Sequence, residues 1–173
     1  METPKSKLDT IANIAIIVVC IIAAVVLVQN QILPRFQHQP ARPSEAAKGE
    51  TLAALRDVVP AGTQKALVMA ISPTCHFCTD SMPFYKQLLD KRNQSQSPLK
   101  VIAAVPDAKA EAAEQANLAE HGVQPDALVH VDFSKIKVPG TPTLLLVDDR
   151  GKVLNVWVGK LDESREREVL AQL

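Results

Sequence analysis

Apolar residues along the chain occur in two patterns, continuous runs and helical spacing, and each pattern predicts one kind of element. Continuous runs bounded by turn residues predict buried strands, and apolar positions three and four residues apart predict helices with one buried face. The predicted strands are 66–72, 99–105, 143–147 and 152–158. The predicted helices are 51–59, 75–92, 107–121 and 162–173. The segment 127–131 fits either a short strand or a merely extended stretch.

The order of these elements predicts an α/β fold. Two strands joined by a helix should be parallel, whereas the last two strands are separated by a turn containing Gly151 and should form an antiparallel hairpin. We therefore expect a mixed sheet of about four strands with helices on both faces. Pro83 falls inside the helix predicted at 75–92, so a kink is expected there.

A different apolar run comes before this domain. Residues 11–28 contain no charged side chain, and at about 1.5 Å rise per residue such a helix nearly spans the hydrocarbon core of a membrane. We predict a transmembrane anchor at 11–30. A cleaved signal peptide is the alternative, but the residues after the run lack the small-residue cleavage pattern.

The remaining segments complete the predicted organisation. A short cytoplasmic tail at 1–10 precedes the anchor, a flexible linker rich in Pro, Gln and Ala follows at 31–48, and the folded domain occupies 49–173. The short tail favours an amino terminus inside the cell, so the domain is expected on the extracytoplasmic, periplasmic side of the cell membrane. Net charge is zero, with 19 basic and 19 acidic residues and no basic run. Nucleic acid is therefore not predicted as a partner.

Two cysteines lie at the junction between a predicted strand and a predicted helix, in the motif CHFC at 75–78. The amides and dipole of a helix start favour the thiolate of Cys75. The third cysteine, Cys20, falls in the predicted anchor, so the domain has too few cysteines for a scaffold of several disulfides. The cysteine pair is either catalytic or part of a metal-binding site.

Further motifs carry a family resemblance. The segment VPGTPTLLLV at 138–147, followed by Gly151 and Gly159, resembles the second half of a thioredoxin. The first half agrees, because C-x-x-C follows a buried strand and Pro83 comes five residues after Cys78. The resemblance covers about residues 52–173. It implies a thioredoxin-like fold and a membrane-anchored thiol:disulfide oxidoreductase of the thioredoxin superfamily.

The resemblance also implies roles for particular residues. Cys75 would be the nucleophile and Cys78 the resolving thiol that attacks the mixed disulfide. Pro142 would follow a cis peptide bond, with Thr141 facing the sulfurs, and the free backbone there would bind an extended substrate segment. If His76 is cationic, it favours the thiolate and makes the pair more oxidising. The alternative is an exposed residue with little effect.

Two positions depart from the family pattern. Thr74 stands where thioredoxins usually carry Trp, and Met69 stands where they place the buried acid that helps to move the proton of the resolving cysteine. The sequence therefore leaves the proton acceptor unidentified. The Phe77 side chain is expected to contact either a partner or the domain itself.

The most favoured function is a client-specific reductase, and two alternatives stay open. One is a disulfide oxidase or isomerase, and the other is a thioredoxin-like copper-binding protein without redox turnover. The expected partners are disulfide-bearing or dithiol client proteins and a membrane electron-transfer or redox partner; no cofactor is implied. For a metal site, the spacing of His76, His121 and His130 from the cysteines fits no standard zinc pattern, and none is predicted.

Overall fold

A computed structural model of the chain describes residues 16–20, 45–60 and 62–173. By its contacts the chain divides into two units, Met1–Arg42 and Pro43–Leu173. In the first unit, residues 16–20 are helical with exposed side chains. The predicted tail, the rest of the predicted anchor and the linker up to residue 44 lie outside the described residues. Within the described ranges, no helix is both long enough and apolar enough to cross a membrane.

The second unit is an α/β domain whose strands form one mixed sheet. The strands are β1 (Lys65–Ala70), β2 (Lys100–Val105), β3 (Ala127–His130), β4 (Thr143–Asp148) and β5 (Val153–Val158). The helices are α1 (Ala53–Val58), α2 (His76–Asp80), α3 (Met82–Ser95), α4 (Ala108–Glu120) and α5 (Glu163–Leu170). The strand order is β3-β2-β1-β4-β5. The pairs β1·β2 and β2·β3 are parallel, and the pairs β1·β4 and β4·β5 are antiparallel. The parallel crossover from β1 to β2 and the antiparallel hairpin of β4 and β5 agree with the sequence prediction.

The sheet has five strands, so the predicted number of about four is wrong by one. The additional strand is β3, which pairs with β2 in parallel register from Ile102 opposite Ala127 to Val105 opposite His130. All four β3 side chains are at least partly exposed, so its apolar signal is short and does not distinguish a strand from an extended segment.

The helix predicted at 75–92 is two helices separated by Ser81. Pro83 lies in the first turn of α3, where the N–H that proline lacks would have no partner within the helix. The break therefore comes before the proline and not at it. Ser81 caps the end of α2 and the start of α3. Its hydroxyl donates to the Phe77 carbonyl of α2 at 2.7 Å, and its own carbonyl accepts from the Tyr85 amide of α3 at 3.1 Å.

Apolar side chains pack on both faces of the sheet. Successive side chains of a strand point to opposite faces, so β1 contributes Leu67 and Met69 to one cluster and Ala66 and Val68 to the other. Side chains of α2, α3, α4 and α5 pack in the first cluster, and Leu55 of α1 packs in the second. The helices thus cover both faces, as predicted.

The segment before residue 49 also contacts the domain. Ala46 is buried, and its amide donates to the Lys137 carbonyl at 3.0 Å. The Gly49 amide donates to the Val153 carbonyl at 2.7 Å. The end of the predicted linker is therefore bound to the domain at Ala46, and Gly49, the first residue of the predicted domain, lies beside the start of β5.

Candidate active site

The sheet itself brings the two halves of the site together. In the antiparallel pair β1·β4, Ala70 at the end of β1 lies opposite Thr143 at the start of β4. The chain leaves β1 toward the cysteines, and it enters β4 from the loop containing Thr141 and Pro142. Segments 66 residues apart in sequence therefore meet at one end of the sheet.

Cys75 caps the amino end of α2. Its backbone is extended, and its sulfur accepts a hydrogen bond from the Cys78 amide at 3.2 Å. The Cys75 amide donates to the Ser72 carbonyl at 3.0 Å, which holds the turn between β1 and α2. An amide hydrogen directed at a sulfur stabilises negative charge on it. The sequence prediction placed Cys75 at this helix start, and the structure agrees.

The two thiols differ in their exposure. Cys75 is partly exposed, whereas Cys78 has no exposed surface and packs among the apolar residues of the first cluster. Burial raises the pKa of the Cys78 thiol to about 12, and the hydrogen bond with Cys75 acts in the same direction. Both are free thiols. Near neutral pH, Cys78 therefore holds its proton until that proton is removed.

The loop before β4 lies against Cys75. The Cys75 thiol donates to the Thr141 carbonyl at 3.3 Å, and the Thr141–Pro142 peptide bond is cis. The loop is held on both sides, by the Thr143 hydroxyl donating to the Gly140 carbonyl at 2.7 Å and by the Gly159 amide donating to the Pro142 carbonyl at 2.8 Å. The structure thus brings together the four residues predicted as the exchange and substrate site: Cys75, Cys78, Thr141 and Pro142.

His76 projects into solvent beside an acidic residue. Its side chain is 83% exposed, and its Nε2 atom lies 3.8 Å from the Asp80 carboxylate. The Lys160 ammonium also contacts Asp80, at 3.0 Å, and its hydrogen bond is the main cause that holds the pKa of this carboxyl below its usual value. The sequence analysis missed Asp80 and Lys160. Redox tuning by His76 stays a prediction, and Asp80 would offset part of any positive charge there.

Phe77 is exposed between the two cysteines. It is 57% exposed, the only large hydrophobic side chain that is highly exposed in the described part of residues 45–173. Its ring lies 5.9 Å from the His76 ring, centroid to centroid. Phe77 belongs to neither apolar cluster of the domain. Of the two predictions for Phe77, its exposure therefore favours the contact with a partner, which stays a prediction.

The other predicted candidates lie elsewhere. Met69 is buried in β1 between Ala103 and Leu144, so this part of the sheet carries no acid. His121 caps the end of α4, where its Nδ1 atom lies 2.8 Å from the Asn117 carbonyl oxygen, and His130 ends β3. Across the described ranges, no three His, Cys, Asp or Glu side chains are grouped as metal ligands.

The comparisons with known proteins agree with this geometry. A family model for a thioredoxin-like domain matches residues 53–173. No curated protein sequence matches the chain.

Solved structures show the same fold at low identity. StoA from Bacillus subtilis is 14% identical with a TM-score of 0.52, over 64% of this chain and 84% of that one. A secreted Mycobacterium tuberculosis disulfide oxidoreductase homologous to E. coli DsbE is also 14% identical with a TM-score of 0.52, over 72% and 96%. The thioredoxin domain of a Bacteroides vulgatus thiol-disulfide oxidoreductase is 16% identical with a TM-score of 0.55, over 74% and 98%.

The fold and the cysteine site define a protein with a thioredoxin-like α/β domain of the kind found in thiol-disulfide oxidoreductases. The chain belongs to the thioredoxin-like domain family, as its motifs predicted.

Proposed function

We propose that the protein is a thiol:disulfide oxidoreductase that exchanges disulfides with protein partners through Cys75 and Cys78. The observation that carries the proposal is the unequal exposure of the pair. The Cys75 sulfur is accessible and lies beside the Thr141 carbonyl, while Cys78 is enclosed behind it. An accessible thiolate can attack a client disulfide, and an enclosed thiol can reach only the mixed disulfide formed at Cys75.

The exchange has two steps. The Cys75 thiolate attacks one sulfur of the client disulfide, which forms a Cys75–client bond and releases the other client sulfur as a thiolate. Cys78 then loses its proton and attacks the Cys75 sulfur, which forms the Cys75–Cys78 disulfide and releases the second client thiolate. The client gains two electrons and the protein loses two, so a membrane electron-transfer or redox partner must reduce the pair again.

We favour a client-specific reductase in which an extended client segment lies along the Thr141–Pro142 loop. The thiol-trapping experiment that tests the direction of electron flow uses an alkylating mass tag in living cells. A reductase supplied with electrons keeps Cys75 and Cys78 mostly reduced. A mostly oxidised pair would instead support the oxidase or isomerase alternative, which the buried Met69 and the neighbouring His76 favour.

The copper alternative rests on the affinity of two neighbouring thiolates for Cu(I). Titration of the purified protein with Cu(I), followed by an insulin reduction assay, separates it from disulfide exchange. We expect insulin reduction that depends on both cysteines. Stoichiometric Cu(I) binding with no insulin reduction would reject the oxidoreductase proposal.

We also propose the location that the sequence predicts. Residues 1–10 form a cytoplasmic tail, 11–30 a single-pass anchor and 31–48 a linker, with the redox domain in the periplasm. The charge-free run at 11–28 supports this proposal. Alkali extraction of membranes should leave the protein in the pellet, and a thiol reagent that cannot cross the inner membrane should label Cys75 in intact cells. Release by alkali, or labelling only after lysis, would contradict it.

Phe77→Ser is expected to weaken client reduction without harming the fold. Truncation of an exposed aromatic anchor costs about 1–2 kcal/mol of binding, so the KM for insulin should rise roughly tenfold. Because Phe77 is exposed, the free energy of unfolding should change by no more than about 0.5 kcal/mol. The measurement is insulin reduction at several insulin concentrations, with thermal unfolding in parallel.

Thr79→Ala is the matched control for Phe77→Ser, since Thr79 is an exposed residue of the same helix. It should leave both the KM and the stability unchanged. An equal loss in both variants would indicate that α2, and not the aromatic ring, is responsible.

A further inference from the structure

The segment between β5 and α5 contacts both halves of the active site. The Gly159 amide donates to the Pro142 carbonyl at 2.8 Å. The ammonium of the next residue, Lys160, donates to the carboxylate of Asp80, the last residue of α2, at 3.0 Å. Two neighbouring residues therefore connect the loop before β4 with the helix that Cys75 caps.

This connecting segment, residues 158–161, is itself anchored on both sides. The Arg165 guanidinium of α5 donates to the Val158 carbonyl at 3.2 Å. Leu161 is buried and packs in the first apolar cluster. Because the segment is held at both ends, its contact with α2 can fix the position of the Pro142 loop relative to that helix.

The proposed exchange removes one of the contacts that hold the loop beside Cys75. The hydrogen bond from the Cys75 thiol to the Thr141 carbonyl needs the thiol proton. It is lost when Cys75 becomes a thiolate, and it is still absent in the mixed disulfide with a client. The contacts of Gly159 and Lys160 involve no sulfur atom, so they persist through both steps of the exchange.

We propose that the Lys160–Asp80 ion pair keeps the Pro142 loop in position for the client while Cys75 exchanges its disulfide. The inference rests on the proposed disulfide exchange and deepens it. Lys160 and Asp80 are positioning residues, since they act through the Gly159–Pro142 hydrogen bond and take no part in the sulfur chemistry. An extended client segment pairs with the loop backbone only while the loop keeps its place beside α2.

The charges of the pair allow this role to be separated from a direct electrostatic effect. His76 lies 3.8 Å from the same Asp80 carboxylate, so a change at Asp80 also alters the charge near Cys75. Lys160→Met removes a positive charge, whereas Asp80→Asn removes a negative one. A direct effect of charge on the thiolate or on the client would move the two variants in opposite directions. Loss of a positioning contact moves both in the same direction.

The test compares two substrates of the full chain. Insulin offers a peptide segment that can bind the loop, whereas a small aromatic disulfide reagent offers none. The chain carries Cys20→Ala, so that only the site pair reacts with the reagent. The reagent rate measures the Cys75 thiolate, and the ratio of the insulin kcat/KM to that rate reports on the loop. A chain with the ion pair intact that reduces no insulin would reject the proposed function and this inference with it.

Lys160→Met and Asp80→Asn should each lower the ratio about threefold, because the side chains are 48% and 32% exposed and such ion pairs are weak. The double variant should lower it no further, since either change removes the same contact. Lys86→Met is the matched control, because it breaks an exposed ion pair with Asp90 within α3, and it should leave the ratio unchanged. Opposite changes in the two single variants, additive losses or an unaltered ratio would overturn the inference alone.

Hydrogen exchange of the Gly159 amide gives a readout that does not depend on activity. This amide is bonded to the Pro142 carbonyl, so its exchange should be about threefold faster in Lys160→Met and Asp80→Asn and unchanged in Lys86→Met. Lys160→Arg keeps the positive charge and should behave like the unsubstituted chain in both measurements. A lowered ratio with unchanged Gly159 exchange would show that the charges act on the client directly, which would also overturn the inference.

Discussion

Cys78→Ser is expected to stop turnover and to leave the protein covalently bound to its client. Cys75 can still attack a disulfide, but no second thiol remains in the domain to resolve the product. Insulin reduction should fall to the uncatalysed background, a loss of roughly a thousandfold or more. Non-reducing electrophoresis after alkylation in cells should show mixed disulfides that a reductant releases. These trapped proteins identify the clients.

Cys75→Ser is the matched control, because it removes the exposed sulfur and leaves the buried one. It should also abolish insulin reduction, but it should trap no client, since Cys78 has no exposed surface. Cys20→Ser should turn over normally. Mixed disulfides through Cys78 in the Cys75→Ser protein would contradict the assigned order of attack, and so would normal turnover by Cys78→Ser.

The parts of the site that the sequence predicts well are those encoded in short motifs. Cys75 follows a continuous apolar run, and a strand that ends at a helix start places a thiol on the helix amides for purely local reasons. The Thr141–Pro142 segment is similarly local, since it directly precedes an apolar strand. Their proximity depends on the antiparallel pairing of β1 with β4, which no local pattern encodes. The family resemblance implied only that Thr141 faces the sulfurs.

The parts that the sequence analysis missed depend on long-range packing. Asp80 meets Lys160 across 80 residues, and no local pattern predicts that pair. Glu114 lies in a stretch rich in Ala and Glu that is typical of an exposed helix. The pattern therefore does not distinguish the buried Glu114 from the other glutamates of α4. One signal is present: Glu114 is four residues before Leu118, which places both on the same helix face.

The fold shows the same division between local and long-range signals. After one exposed lysine at the start of each, the strands β1 and β2 are buried on both faces and are apolar runs in the sequence. The edge strand β3 is exposed on part of its surface and has only four residues, so its pairing with β2 could not be distinguished from an extended connection. The sequence indicates a break at Pro83 and not at Ser81, because proline is the stronger signal although the first helical turn tolerates it.

Gly151→Ala is expected to be among the most destabilising single substitutions in the domain. Gly151 ends the turn between β4 and β5 with a φ of +75°, and its carbonyl accepts from the Leu52 amide at 3.0 Å. A Cβ atom there would lie 2.6 Å from the Leu52 carbonyl oxygen and 2.8 Å from the Arg56 amide nitrogen. Both are backbone atoms, so relief requires moving the start of α1 away from the hairpin.

Two effects therefore add at Gly151. The left-handed backbone costs an ordinary residue about 1–2 kcal/mol, and displacement of α1 should bring the loss of unfolding free energy to about 3 kcal/mol or more. In a domain of this size the melting temperature should fall by on the order of 10 °C. Gly62→Ala separates the effects, because Gly62 has a similar φ of +82° and a Cβ atom added there would meet no described atom within 4 Å. Gly62→Ala should lose only the unfolding free energy that the left-handed backbone costs. Equal losses of unfolding free energy in both variants would show that the contact with α1 contributes nothing.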